Sequence, residues 1–155
     1  MHKKEEFLKT YGGIYEHSPW VAEAAYASGY IDTLEDLQDA MKAAVANASH
    51  DKKLALIRAH PDLVCAEKMT QESVSEQEGA GLNHCTPEEF AEFQRLNVEY
   101  KRKFGFPFII AVKGLTRQDI LHAFRNRIYN GAVAEFENAL EQIHKIARFR
   151  LMALF

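Results

Sequence analysis

His60 stands directly before a proline at the end of an apolar helical run, in the stretch IRAHPDL from Ile57 to Leu63. A helix that ends at a proline leaves backbone carbonyls without partners inside the helix, and its last side chains project into the following loop. Because histidine titrates near pH ~6.5, such a side chain could donate a proton at neutral pH. The placement is equally typical of a histidine stabilised by the dipole of a helix C-terminus.

A second group of candidate residues lies in the stretch ESVSEQEGAGL, where Ser73, Glu76 and Gln77 stand at i, i+3 and i+4. On a helix these positions share one face. A hydroxyl, a carboxylate and a carboxamide supply both donors and acceptors, so together they could bind a ureido or amide group. The alternative is a plain helix start, with a serine as the N-cap, Glu76 in the first turn and a glycine at the end.

Two further stretches could face a ligand. The apolar segment KFGFPFIIAVKG, Lys103 to Gly114, is typical of core, but an isolated extended segment could also offer its backbone N–H and C=O groups. In FRNRIYN, helical spacing puts Arg125 and Arg127 beside an apolar stripe, so either could point into a cleft. A buried arginine needs an anion, which could be a ligand or one of the 22 acidic residues, and the default for arginine is to reach solvent.

The chain offers little for metal or phosphate chemistry. Cys65, His84 and Cys85 have neither paired CxxC spacing nor an HExxH pattern, and Gly-rich phosphate loops and GxSxG motifs are absent from the sequence. We therefore expect no metal site.

The bulk properties predict one globular domain over residues 1–155. The composition is 47% hydrophobic and 26% charged, and the net charge of −3 argues against nucleic acid or an anionic membrane surface as a partner. The longest apolar run, FPFIIAV, is far shorter than the ~20 residues of a membrane span. The N-terminus is charged and unlike a signal peptide, and two cysteines favour a reducing, cytoplasmic location.

Helix signals dominate the chain, and the pattern predicts an all-α, single-domain compact bundle with one short extended buried segment. Ser18–Pro19 is expected to start a helix that Gly29 stops, and Ser49 is expected to start one that Pro61 ends. Gly105 fits a helix end. Capping pairs are predicted at Thr33 with Asp36, Thr86 with Glu89, and Thr116 with Asp119. A last long helix is expected in AVAEFENALEQIHKIARFRLMAL.

Taken in order, the motifs AHPDL, SVSEQ with GAGL, LNVEYKRKFGFPFIIAVKG and RNRIYN resemble the 2-oxo-4-hydroxy-4-carboxy-5-ureidoimidazoline (OHCU) decarboxylases of ureide metabolism. The resemblance covers about Leu54 to Leu151. It implies an all-helical fold, a homodimer, no cofactor and a small-molecule substrate, OHCU, which is decarboxylated to (S)-allantoin and carbon dioxide. One departure is Val64-Cys65-Ala66, where many members of that family have a glycine.

The resemblance assigns roles by position. The HPDL motif makes His60 the proton donor and places Pro61 beside the substrate. The SxxEQ motif makes Glu76 the residue that holds the ureido N–H groups or orients His60, and the RxxN motif makes Arg127 the anchor of an anionic or carbonyl oxygen. The substrate-binding residues it implies are Pro61, Ser73, Val74, Ser75, Glu76, Gln77, Phe108, Ile109, Ile110, Ala111, Val112 and Arg127.

The chemistry agrees with these roles. Loss of carbon dioxide leaves an electron pair that the ring can delocalise as an enolate-like anion, so no metal or pyridoxal is required if hydrogen bonds stabilise the charge. A proton delivered by His60 to one face then gives one enantiomer. Two other hypotheses are a helical module that binds a ureide or purine-like ligand without converting it, and an interaction scaffold in which His60 and Glu76 share no cleft.

Overall fold

The computed structural model of the protein describes residues 2–63 and 85–154. Within those two ranges the chain forms seven α-helices and no strand, which confirms the all-α prediction. In chain order they are α1 (His2–Tyr11), α2 (Trp20–Ala27), α3 (Leu34–Ala46), α4 (His50–Arg58), α5 (Pro87–Phe104), α6 (Arg117–Arg127) and α7 (Ala132–Leu154).

The helix starts follow from their capping residues. The three predicted capping boxes are present, at α3, α5 and α6, and in each the threonine hydroxyl accepts from the N3 backbone while the N3 carboxylate accepts from the threonine backbone. Ser49 caps α4 by accepting from the Lys52 N–H. At α5, Pro87 occupies the first turn, where its missing N–H costs nothing, and Gly105 ends the helix in the left-handed region with φ of 79°.

The helix predicted to start at Ser18–Pro19 is present as α2, but the Ser18 side chain does not cap it. Pro19 occupies the N-cap position and no side chain caps the helix. The Ser18 hydroxyl instead donates to the backbone carbonyl of Glu16 at 2.9 Å. The serine hydroxyl therefore stabilises the turn that precedes the helix, which is a common alternative to capping for this side chain.

The chain divides into two units. The first takes its residues from Met1–Ala59 and Ile143–Phe155 and so includes α1 to α4 and the second half of α7. Its interior contains a buried ion pair between Arg150 Nη2 and Glu16 Oε2 at 3.3 Å. It also contains a 2.7 Å hydrogen bond between the Tyr15 hydroxyl and His144 Nδ1. Burial, with a smaller contribution from Lys42, lowers the pKa of His144 to about 4.

The second unit takes its residues from His60–Gln142. Its described interior is aromatic, and Tyr100 of α5 contacts four phenylalanine rings at centroid distances of 4.4–6.0 Å: Phe104, Phe106, Phe108 and Phe124. Residues 107–112 form neither helix nor strand, and all but Ile110 of the predicted segment from Phe108 to Val112 are buried. The prediction of one domain over residues 1–155 stays a prediction.

Candidate active site

His60 lies two residues beyond the last residue of α4, at the start of the second unit. Helix α4 ends at Arg58 and Ala59 is its C-cap, which agrees with the predicted end of this helix before Pro61. His60 is 8% exposed. A titratable ring at this point is therefore sheltered from bulk water and lies just after the end of a helix.

Helix α5 anchors the segment after His60 at two points. Asn97 Nδ2 donates to the buried backbone carbonyl of Leu63 at 3.3 Å, and Lys101 Nζ forms an ion pair with Asp62 Oδ2 at 2.5 Å. Asn97 and Lys101 are one helical turn apart, so a single face of α5 holds the loop after His60. The other side-chain atom of Asn97, Oδ1, is buried and has no hydrogen-bond partner within the described residues.

A buried polar cluster surrounds the carboxylate of Glu135, near the start of α7. Glu135 is fully buried. Its Oε1 accepts from the Tyr100 hydroxyl at 2.6 Å and from Arg127 Nε at 3.0 Å. Its Oε2 accepts from Asn130 Nδ2 at 3.0 Å and from Asn138 Nδ2 at 2.7 Å. Four donors therefore satisfy both oxygens of one carboxylate, as a buried charge requires.

The electrostatics of the cluster keep this carboxylate ionised. Desolvation alone would raise the pKa of Glu135, but the hydrogen bonds from Asn130, Tyr100 and Asn138 and the charge of Arg127 outweigh it, and the pKa is lowered. Burial and the hydrogen bond to Glu135 raise the pKa of Tyr100. Tyr100 is thus a neutral donor at any physiological pH.

Arg127, the last residue of α6, is the cation of this cluster. Its Nε pairs with Glu135, and its Nη1 donates to the backbone carbonyl of Ile109 at 2.7 Å. The guanidinium carbon lies 4.4 Å from the centroid of the Phe108 ring, which stacks on Phe124 at 3.9 Å. The third nitrogen, Nη2, is buried and lacks a hydrogen-bond partner in the described part of the chain.

The two candidate arginines of FRNRIYN differ sharply in the structure. The Arg125 side chain is 53% exposed and pairs with Glu92 of α5. The Arg127 side chain is 13% exposed and pairs with an acidic residue, Glu135, which is one of the two kinds of partner that the sequence left open. The ion pair with Glu135 involves Nε, however, so the N–H groups of Nη2 have no hydrogen-bond partner among the described residues.

Several backbone groups of the segment from Phe108 to Val112 already form hydrogen bonds within the protein. The Ile109 carbonyl accepts from Arg127, the Ala111 N–H donates to Gln142 Oε1 at 2.9 Å, and the Val112 carbonyl accepts from the Leu115 N–H. Ile110 is half-buried, and its N–H and C=O have no partner among residues 2–63 and 85–154. The Ile110 backbone is therefore one part of this segment that a ligand could still use.

Ser73, Val74, Ser75, Glu76 and Gln77 lie outside the described residues, so a cleft shared by His60, Glu76 and Arg127 stays a prediction. Within the described ranges, no group of three or more histidine, cysteine, aspartate and glutamate side chains is placed to hold a metal ion. No helix in those ranges has the length and apolarity to cross a membrane.

Glu135 was not predicted as a site residue, although the spacing of apolar residues on α7 indicates that it is buried. Glu135 begins an i, i+4 series along α7 whose next members, Ala139, Ile143, Ala147 and Leu151, are all buried. An acidic residue in line with an apolar stripe must find donors. Asn97, between buried Leu96 and Tyr100, is the same kind of signal on α5.

Comparison with known proteins adds a family to this geometry. The OHCU decarboxylase family model matches residues 1–152. The 2-oxo-4-hydroxy-4-carboxy-5-ureidoimidazoline decarboxylase of Haloferax volcanii is 43% identical over 151 residues, which are 97% of this chain and 90% of that protein. The uric acid degradation bifunctional protein of Bacillus subtilis is 44% identical over 142 residues, 92% of this chain and 29% of that protein. A crystal structure of OHCU decarboxylase in the presence of (S)-allantoin superposes with a TM-score of 0.74 at 29% identity, and covers 88% of this chain and 90% of that one.

Proposed function

The chain belongs to the OHCU decarboxylase family, and we propose that it converts OHCU to (S)-allantoin and carbon dioxide with His60 as the proton donor. It is a carboxy-lyase of urate degradation, as the family match over residues 1–152 and the relatives above support. The observation that carries the residue assignment is a sheltered histidine in the same unit as an arginine whose buried Nη2 donors are unused.

The reaction asks for two things from the protein. As the bond to the carboxyl carbon breaks, its electron pair moves into the ring, and the resulting enolate-like anion needs hydrogen-bond donors. Arg127 supplies such donors through Nη2, and its planar guanidinium fixes the direction of the bond. No cofactor is needed in this proposal, because the substrate ring accepts the electrons.

The second requirement is a proton on one face of the ring carbon that bears the ureido group. His60 delivers it, and a buried ring in a loop held by α5 has the fixed orientation that facial selectivity requires. Pro61 borders the substrate in this proposal. Glu76, with Ser73, Val74, Ser75 and Gln77, binds the ureido group, and the free backbone groups of Ile110 complete the contacts of the Phe108–Val112 segment.

The experiment is optical. Fresh urate-oxidation product, hydrolysed to OHCU, is incubated with and without the protein, and the circular dichroism of the allantoin formed is followed. Spontaneous decay gives a racemate, whereas the proposed enzyme gives the (S)-enantiomer. A racemate formed at the spontaneous rate would instead favour a module that binds a ureide without converting it.

Assembly and location are two further proposals. We propose a homodimer from the family resemblance, and a cytoplasmic location from the two cysteines. Light scattering that gives a monomer mass at micromolar concentration would refute the first without touching the catalytic proposal.

A further inference from the structure

The guanidinium of Arg127 is held by three contacts, and one of its nitrogens has no hydrogen-bond partner among the described residues. Glu135 holds Nε, the Ile109 carbonyl holds Nη1, and the Phe108 ring lies against the plane of the group. Nη2 is buried without a partner in the described ranges. A buried unpaired donor is costly, so its presence is typical of a group that meets a ligand.

Glu135 is the rigid member of this arrangement. Both of its oxygens are occupied, by side chains from α5, from the loop between α6 and α7, and from α7 itself. Such a carboxylate cannot rotate without breaking several hydrogen bonds at once. Glu135 therefore fixes where the Nε edge of Arg127 lies, and the planarity of the guanidinium then fixes where Nη2 points.

We propose that Glu135 is a positioning residue for the decarboxylation, which orients Arg127 so that Nη2 meets the substrate oxygen on which negative charge develops. The inference rests on the proposed function, in which Arg127 binds the substrate. It also assigns a role to the charge of Glu135. An isolated cation would hold the substrate carboxylate tightly and stabilise the ground state against loss of carbon dioxide. Paired with Glu135, Arg127 is a directed donor with little net charge.

The test compares two buried carboxylates that each pair with an arginine. Glu135→Gln removes the positioning charge, and Glu16→Gln removes the carboxylate that pairs with Arg150 in the first unit, where no site residue is proposed. At matched folded fraction we expect kcat/KM to fall about tenfold or more in Glu135→Gln and to stay within about twofold of wild type in Glu16→Gln. Equal kcat/KM for the two variants overturns the proposal.

A double-mutant cycle separates positioning from a role of Glu135 on its own. In the Arg127→Gln background, Glu135→Gln should cost no further kcat/KM, because the residue through which it acts is already lost. A full additional tenfold loss in that background would overturn the proposal. If Glu135→Gln fails to fold, Glu135→Asp provides the test. This variant keeps the negative charge but moves the carboxylate away from Arg127 by the length of one methylene. A fall in kcat/KM of about fivefold or more supports the inference, and an unchanged value contradicts it.

An NMR measurement distinguishes failure of this inference from failure of the proposed function. The Nε–H of Arg127, identified by its loss in Arg127→Gln, should be a slowly exchanging signal in the wild type and should exchange fast in Glu135→Asp. If that result holds but the wild type does not convert OHCU, the proposed function is wrong and the positioning contact stands. If the wild type converts OHCU and the Nε–H signal is unchanged in Glu135→Asp, the positioning inference is wrong.

Discussion

Asn97→Leu is expected to cost turnover without costing stability. The side chain is buried, and its Nδ2 donates to the Leu63 carbonyl three residues after His60. Leucine has nearly the same shape, so the change removes the polar atoms of the side chain with little change in volume. The hydrogen bond is long, at 3.3 Å, but it ties the chain to α5 three residues after His60.

The effect on stability is the difference between two similar terms. Loss of the bond leaves the Leu63 carbonyl unpaired, at a cost of about 1–3 kcal/mol, while removal of the unpaired buried Oδ1 returns a similar amount. We therefore expect the free energy of unfolding to change by less than about 1 kcal/mol. Turnover should fall about tenfold, because a small displacement of the proposed proton donor lowers the reaction rate strongly.

The assay measures both quantities on the same preparation. Urea unfolding followed by far-UV circular dichroism gives the stability, and the rate of (S)-allantoin formation gives kcat. Gln94→Leu, an exposed position one turn earlier on α5, controls for the change in helix propensity and should leave kcat unaltered. If Asn97→Leu keeps kcat within about twofold of wild type, the loop does not need this anchor and the reasoning fails.

Three further outcomes are expected. His60→Asn should lower kcat by about 10²–10⁴-fold while it folds normally, and turnover near that of the wild type would remove His60 from the mechanism. Glu76→Gln should weaken both substrate affinity and kcat, measured by initial rates over a range of OHCU concentrations; an unchanged KM would contradict a ureido contact. His144 has a pKa lowered to about 4, so unfolding takes up a proton between pH ~6.5 and ~4 and stability falls as the pH drops through that window, by up to about 3 kcal/mol. Urea unfolding at several pH values should show this slope in wild type and a shallower one in His144→Gln.

Helices could be predicted from the sequence because their determinants are local. Each capping box needs a threonine and an acidic residue three positions later, and Thr33, Thr86 and Thr116 all behave as that spacing predicts. Helix α2 begins where Ser18–Pro19 predicts, but the Ser18 hydroxyl donates to a nearby carbonyl and does not cap the helix, and no local pattern decides between these two uses. The burial of the Phe108–Val112 segment followed from its composition alone.

The contacts of the candidate site could not be predicted in the same way. Helical spacing predicted that either Arg125 or Arg127 could point into a cleft. Which one does so depends on which of the 22 acidic residues each arginine pairs with. Arg125 meets Glu92, 33 residues earlier, and Arg127 meets Glu135 across the turn that joins α6 to α7. Such pairings depend on how the helices pack, and this packing cannot be predicted from the spacing of residues within one helix.

Helix α5 links the two halves of the proposed chemistry. Asn97 and Lys101 hold the loop that carries His60, and Tyr100, which lies between them in the sequence, donates to the carboxylate that holds Arg127. The proposed proton donor and the proposed anion-binding group are thus both linked to residues within one turn of the same helix. A catalytic geometry of this kind depends on helix packing more than on loop conformation, since shifting α5 would displace both groups together. It follows that substitutions at buried α5 positions such as Tyr100 should affect kcat even though they touch no substrate.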